Sequence, residues 1–426
     1  MKKLIYDRLE QTIYHDVLPN GLQLYVIPKP GFSKKYAFFA TNYGSIDTSF
    51  VLDGKPMVSA DGVAHYLEHK MFDMKDGNAL QKMSATGASP NAFTSYQLTA
   101  YYVECTQAFA ENLQTLLTFV SQPYFTQESV DKEQGIIGQE IKMYEDHPGS
   151  RLGENLFAAM YQNHPLKVNI AGTVESISKI TPQMLYDCHR AFYDPSNMVL
   201  CVAADVDPEE IRQLALDILP KEPGGASARD YGPEEPAAPA QKEIVQEMEV
   251  AMPMFAVGFK CPAVSEGQER LRQELIGDLA AEILCGESSP LYQRLYEEGL
   301  IDSDFAVGYE MVKGMPNVSV SGDSEDPQRV LDAILTEARR ITTEGVEDGL
   351  FQRLKRAALG RRIRGLDSFD GLCYRLAISC FDQADYFQFP EMYDQITGED
   401  VRAFIRAHIT EETAVLSVIR PKQKEE

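Results

Sequence analysis

The chain has 426 residues, of which 44% are hydrophobic and 24% charged, the composition of a folded protein long enough for about two or three domains. Its formal net charge of −24 argues against nucleic acid and anionic membranes as partners. No stretch approaches the roughly 18 apolar residues of a membrane span, and no apolar signal-peptide segment follows the first lysines, so we expect a cytoplasmic protein.

Cysteine usage agrees with a reducing compartment. The seven cysteines include no C-x-x-C pair, which indicates reduced and mostly buried thiols. A zinc site built from cysteines is therefore not expected.

The first part of the chain has the pattern of β-strands. His15–Ile27 contains an Asn-Gly turn signal between two alternating apolar runs, which predicts a β-hairpin. Residues Tyr36–Thr41 predict a further strand.

The next segment contains the motif His65-Tyr-Leu-Glu-His69. On a helix that turns about 100° per residue, His65, Glu68 and His69 share one face. The roughly opposite side carries an apolar stripe formed by Val63, Leu67 and Met71. Two imidazoles four residues apart can bind one zinc ion, and the carboxylate before the second can serve as general base toward a metal-activated water. This H-x-x-E-H motif is the inverted form of H-E-x-x-H. The alternative is a solvated helix face that carries two histidines by chance.

Two strands are predicted after this helix, at Ala88–Thr94 and Leu98–Val103. Pro90 cannot donate a ladder hydrogen bond, so it predicts that the first strand lies at a sheet edge. An edge strand beside a zinc site could pair with an extended peptide by β-augmentation.

Two helices follow, at Phe109–Val120 and from a Thr126 cap to about Tyr144. On the second helix, Glu133 and Glu140 are seven residues apart and fall together at the margin of the apolar face. Because catalytic zinc usually has three protein ligands, we predict Glu140 as the third ligand and Glu133 as the carboxylate that orients a ligand histidine. The alternative is that either glutamate simply pairs with a nearby lysine.

Five segments resemble, in this order, the pitrilysin/insulinase family of inverted-motif zinc peptidases. They are Leu18–Leu22, His65–His69, Asn91–Thr94, Glu133 with Glu140, and Gly172–Glu175. The resemblance covers nearly the whole chain and is closest to the short bacterial members that are often encoded beside a related subunit.

The resemblance implies specific roles for these residues. Zinc would be bound by His65, His69 and Glu140, with Glu68 as general base. The substrate would pair with the strand that contains Asn91, Ala92, Phe93 and Thr94.

The chain also repeats itself after 216 residues, since Ile180–Ala191 matches Ile396–Ala407 and Val199–Val202 matches Val415–Val418. Such a repeat indicates two homologous halves. The same offset carries His65, Glu68 and His69 to Ala281, Leu284 and Cys285, and Glu140 to Arg356. The second half therefore lacks the metal ligands.

The repeat predicts the organisation of the chain. Residues 1–220 form the zinc-binding half, residues 221–242 a linker rich in proline, glycine, alanine and glutamate, and residues 243–426 the half without metal ligands. We expect an α+β fold in which each half is an antiparallel sheet packed with helices, and in which the two halves close over a chamber.

The second half departs from the family at two positions. Family members often carry an arginine and a tyrosine there that hold the substrate, whereas this chain has Tyr296 and Asp302 or a neighbour. This departure predicts a related two-half subunit that supplies the missing groups. Self-association, with Tyr296 or Arg294 in their place, is the alternative.

Together these patterns predict a zinc-dependent endopeptidase that hydrolyses peptides with a metal-activated water, as the metal-bearing subunit of a two-subunit peptidase. The alternative is a non-catalytic assembly subunit that keeps a structural zinc. Glu68 favours the enzyme, because a structural site has no use for a general base.

Overall fold

The computed structural model describes residues 1–225 and 227–422. The strands are β1 (Lys2–Tyr6), β2 (Gln11–Val17), β3 (Gln23–Pro28), β4 (Lys35–Thr41), β5 (Ser49–Leu52), β6 (Lys55–Val58), β7 (Asp73–Met74), β8 (Gly77–Asn78), β9 (Ser89–Thr94), β10 (Thr99–Cys105), β11 (Met198–Ala204), β12 (Glu243–Met248), β13 (Met254–Lys260), β14 (Ala306–Val312), β15 (Met315–Asp323) and β16 (Ala414–Pro421). The helices are α1 (Val63–Met71), α2 (Ala79–Ser84), α3 (Phe109–Ser121), α4 (Gln127–Asp146), α5 (Pro148–Met160), α6 (Val174–Ile177), α7 (Pro182–Phe192), α8 (Pro208–Ile218), α9 (Gln268–Cys285), α10 (Pro290–Glu297), α11 (Pro327–Glu344), α12 (Asp348–Gly365), α13 (Phe369–Phe381), α14 (Phe389–Gln395) and α15 (Gly398–His408).

The two large sheets repeat one topology. Five strands of the first sheet have the order β3-β11-β4-β10-β9, and the second sheet has the order β12-β16-β13-β15-β14. The prediction of two homologous α+β halves is confirmed. Each sheet is antiparallel except for one parallel pair, β3 with β11 and β12 with β16. The parallel pair arises because the last strand of each half returns to the sheet beside the first of these five strands.

Several local predictions are confirmed in the first sheet. Strands β2 and β3 form the hairpin predicted at the Asn-Gly turn, and β9 lies at the edge of the sheet beside β10. Strand β4 is buried along almost its whole length, because α3 packs on one face of the sheet and α13 on the other. A strand covered on both faces is continuously apolar rather than alternating.

The chain divides into two compact units. Unit 1 comprises residues 1–141, 169–231 and 364–381, and unit 2 comprises residues 142–168, 232–363 and 382–426. These units differ from consecutive halves of the chain in two segments. Helix α5 packs on β13 and β16 within unit 2, whereas α13 packs on β4 and β11 within unit 1.

The predicted linker is held by ion pairs and forms no helix among its described residues. In unit 1, Arg229 lies 3.0 Å from the buried carboxylate of Asp47. In unit 2, Glu235 pairs with the buried Lys260.

Within the part of the chain that the structure describes, no helix combines the length and apolar composition needed to cross a membrane.

Gly62, just before α1, is required by both conformation and space. Its φ is +87°, and a Cβ atom there would lie 2.3 Å from the carbonyl oxygen of Ala171. We expect Gly62→Ala to lower the free energy of unfolding by more than the roughly 1–2 kcal/mol of a left-handed alanine alone. Gly31→Ala is the matched control, because Gly31 has φ +80° and no atom within 4 Å. Urea denaturation measures both variants, and equal losses would contradict the steric argument.

Candidate metal centre

Helix α1 is fixed in unit 1 by its apolar stripe. Val63, Leu67 and Met71 are all buried in the core, as the 3.6-residue period predicts. The hydroxyl of Tyr66 donates a hydrogen bond to the carbonyl of Val130 on α4. The polar face of α1 is therefore held beside the part of α4 that belongs to the same unit.

This packing brings the three predicted ligands together. Ligand atoms of His65, His69 and Glu140 all lie within 4.8 Å of one another. Glu140 Oε1 is 3.6 Å from His65 Nε2, and Glu140 Oε2 is 3.6 Å from His69 Nε2. Both distances are too long for hydrogen bonds.

The cluster fits a zinc ion. Ligands bound at about 2.0–2.1 Å in a tetrahedron are roughly 3.3–3.5 Å apart, close to the two nitrogen–oxygen distances. Two imidazoles and a carboxylate form a donor set typical of catalytic zinc. Among the described residues, this is the one group of three or more histidines, cysteines or carboxylates with such spacing.

The two imidazoles have different electrostatic environments. Burial and the neighbouring His69 lower the pKa of His65 well below its usual value, so His65 is neutral near pH 7 and able to bind a metal. Burial alone would lower the pKa of His69 as well, but the hydrogen bond to Glu133 and the charges of Glu68 and Glu140 outweigh it and raise that pKa.

Glu133 contacts His69 through Nδ1, whereas Glu140 lies beside Nε2 of the same ring. Its Oε1 lies 3.1 Å from His69 Nδ1, and this hydrogen bond, more than any other cause, lowers the pKa of Glu133. An ionised Glu133 accepts a hydrogen bond from Nδ1–H, which leaves the lone pair of His69 on Nε2 for the cluster. Oε2 of Glu133 also lies 3.7 Å from Nζ of Lys70, so the glutamate contacts a histidine and a lysine together.

Glu68 is 8% exposed and lies on the same helix face as the two histidines. Its Oε2 accepts a hydrogen bond of 2.8 Å from the hydroxyl of Thr94. Burial raises the pKa of Glu68, and the Thr94 hydrogen bond opposes that shift. The carboxylate is thus both a stronger base than usual and held in one orientation.

Strand β9 places its four predicted substrate residues in different environments. Thr94 reaches Glu68 at the end of the strand. Phe93 packs against Phe38 and Tyr374, with ring centroids 6.2 and 6.1 Å away. Ala92 is partly exposed and Asn91 is exposed. One long side of β9 has no strand neighbour among the described residues.

The sequence predictions overlooked two contacts of the site. One is the hydrogen bond between Thr94 and Glu68, which joins residues 26 positions apart and has no local signal. The other is Lys70, which is 2% exposed. Lys70 lies only about 20° from Val63 on the helix, and a lysine on an apolar stripe signals a buried ion pair.

Among its described residues, the second unit has no equivalent cluster. At the positions that correspond to His65, Glu68 and His69, Ala281, Leu284 and Cys285 are buried in α9. Exposed Arg356 on α12 corresponds to Glu140.

Comparisons with known proteins agree with this architecture. The family model for insulinase, peptidase family M16, matches residues 58–174, and the model for the peptidase M16 inactive domain matches residues 179–358. The Bacillus subtilis (strain 168) protein named uncharacterized zinc protease YmfH is 39% identical and covers 99% of this chain and 100% of its own length.

Solved structures show the same fold. An M16-like peptidase from Alicyclobacillus acidocaldarius is 33% identical, with a TM-score of 0.92 over 97% of this chain and 99% of that chain. Pitrilysin is 18% identical, with a TM-score of 0.80 over 100% of this chain and 47% of its own. At this identity, the similarity to pitrilysin concerns the fold alone.

These matches define a class of peptidase-related proteins built from two repeated α+β units. More particularly, the chain belongs to the insulinase family, peptidase family M16, and the predicted resemblance is confirmed.

Proposed function

We propose that this chain is a zinc-dependent endopeptidase. The observation that carries the proposal is the buried carboxylate of Glu68 beside the cluster of His65, His69 and Glu140, in a family with relatives named zinc proteases. When bound, zinc would supply Lewis-acid chemistry, polarising the peptide carbonyl and acidifying water. His65 Nε2, His69 Nε2 and a Glu140 oxygen would hold it.

Glu68 is the proton carrier in this proposal. Its carboxylate accepts a proton from the attacking water and then donates that proton to the leaving amine. The raised pKa of Glu68 favours both steps, because a group that must gain and lose a proton works best with a pKa near the working pH. Thr94 keeps Oε2 of Glu68 in place throughout.

The edge of β9 supplies the substrate site. An extended peptide can add to the side of β9 that lacks a strand neighbour, with backbone hydrogen bonds along Asn91, Ala92 and Phe93. Since β9 ends at Thr94, which contacts Glu68, a peptide added there would run toward the cluster. Backbone pairing selects an extended peptide more than a particular sequence.

The alternative is a non-catalytic assembly subunit with a structural zinc. The buried Glu68 argues against it, because a structural zinc site is closed by its ligands and leaves a general base without a function.

Three expectations from the sequence stay predictions. They are the cytoplasmic location, the lack of nucleic-acid and membrane partners, and the chamber between the halves.

The first test separates the base from the ligands. We expect Glu68→Gln to keep stoichiometric zinc and to lose peptide cleavage by at least about a hundredfold, since the amide cannot accept the proton. Glu140→Gln is the comparison, because loss of a ligand should lower the zinc content itself. Metal analysis and a quenched fluorescent peptide measure the two effects. Full cleavage by Glu68→Gln, or its loss of zinc, would contradict the assignment.

The second test concerns the pH dependence of kcat/KM. The Thr94 hydroxyl stabilises the ionised form of Glu68 and lowers its pKa. Thr94→Val removes that donor and should raise the pKa of Glu68. Because Glu68 must be ionised to accept a proton, the acid limb of the kcat/KM profile should move to higher pH. Thr94→Ser, which keeps the hydroxyl, should retain the acid limb of the wild-type protein. An unchanged limb in Thr94→Val would show that Thr94 does not act on Glu68.

We further propose a related two-half subunit as partner in a heterodimer. The second unit has Tyr296, and Asp302 or a neighbour, where the family resemblance implies an arginine and a tyrosine. Tyr296 is exposed and stacks on Tyr292, so it offers neither a cation nor a fixed donor to a developing oxyanion. One missing oxyanion donor typically costs about a hundredfold or more in rate.

The third test is therefore reconstitution. The purified chain alone should cleave peptides slowly, and addition of a related two-half subunit should raise kcat by about a hundredfold or more. Light scattering after size exclusion follows assembly. Full activity from a monomer would refute the partner, whereas full activity from a homodimer would assign the missing role to this chain's own residues, with Tyr296→Phe and Arg294→Gln as the deciding variants.

A further inference from the structure

We infer that Lys70 is a positioning residue of the metal centre: its ammonium group holds Glu133 in the orientation that directs Nε2 of His69 toward the cluster. The inference deepens the proposed function and rests on it in so far as His69 is a zinc ligand. Lys70 itself is not expected to touch metal or substrate.

The first step is the burial of Lys70. The side chain is 2% exposed, and its Nζ donates a hydrogen bond to Asp73 Oδ2 and lies 3.7 Å from Glu133 Oε2. Burial of an ammonium group is costly unless opposite charges accompany it. Lys70 therefore keeps both carboxylates close.

The second step is the division of the Glu133 carboxylate between two partners. Oε1 lies 3.1 Å from Nδ1 of His69, and Oε2 faces Lys70. Because the ammonium group of Lys70 lies near Oε2, a rotation of the Glu133 carboxylate away from His69 would lose the attraction between Lys70 and Glu133. A chain of contacts thus runs from Asp73 through Lys70 and Glu133 to His69.

The third step is the tautomer of His69. A neutral imidazole has one N–H and one lone pair, and the partner of one nitrogen determines the role of the other. Because Glu133 accepts from Nδ1–H, the lone pair is on Nε2, the atom 3.6 Å from Glu140 Oε2. Lys70 acts on the cluster through this hydrogen bond.

The test uses the full chain with Lys70→Met, Glu133→Gln, the double variant and Lys70→Arg. Lys132→Met is the matched control, because Lys132 is exposed and directly precedes Glu133 on α4. Chelator competition measures the zinc Kd, and ¹⁵N NMR of the metal-free proteins reports the His69 tautomer at a pH at which the ring is neutral. Thermal unfolding measures stability separately.

We expect Lys70→Met to weaken zinc binding by about tenfold or more, the usual effect of losing support behind a ligand. It should not weaken binding further in the Glu133→Gln background, because Lys70 acts through Glu133. Lys70→Arg should recover most of the affinity, and Lys132→Met should bind as the wild-type protein does. In metal-free Lys70→Met, the proton of His69 should move toward Nε2.

A purely structural role for Lys70 would lower the thermal midpoint of Lys70→Met and leave its zinc Kd and tautomer unchanged, which would overturn the inference. If Lys70→Met lowered the zinc affinity equally in the wild-type and the Glu133→Gln backgrounds, the inference would also be overturned. If Lys70→Met does not fold, Lys70→Gln carries the same expectations. Absence of zinc binding by the wild-type chain would instead refute the proposed function, and the tautomers of the metal-free proteins would then decide alone on Lys70.

Discussion

The site depends on one physical constraint, the cost of burying polar and charged side chains around α1. His65, Glu68 and Lys70 are 9%, 8% and 2% exposed, and unpaired polar groups are costly at such depth. Contacts at the site also fix orientations, as that of Thr94 does for Glu68 and that of Glu133 does for the neighbouring His69. The nitrogen and oxygen atoms of the cluster converge to within 4.8 Å of one another, which is the arrangement that a cation would complete.

The two units share one strand order and differ in a few side chains at the candidate metal centre. Both carry the same order of five strands with one parallel pair. In α9 of unit 2, the positions that correspond to the two histidines and the glutamate of α1 are occupied by Ala281, Leu284 and Cys285, all of them buried. Apolar side chains fill this space without needing partners, so the scaffold persists while the site is lost.

The sequence was informative wherever the signal was local or periodic. The stripe of α1 and the seven-residue spacing of Glu133 and Glu140 predicted which groups would share a face, and Pro90 predicted the edge strand. Contacts between distant segments had no such signal. The Thr94–Glu68 hydrogen bond depends on how β9 ends beside α1, and a repeat of 216 residues does not reveal that α13 packs on the sheet of unit 1.

X-ray absorption at the zinc edge of the purified full chain tests most directly whether His65, His69 and Glu140 bind the metal. The cluster predicts stoichiometric zinc with nitrogen and oxygen neighbours at about 2.0–2.2 Å and two imidazoles in the outer-shell scattering. Replacement of His69 by alanine should remove one imidazole from the spectrum of any zinc that remains. A sulfur neighbour at about 2.3 Å, or a chain that binds no zinc, would contradict the assignment.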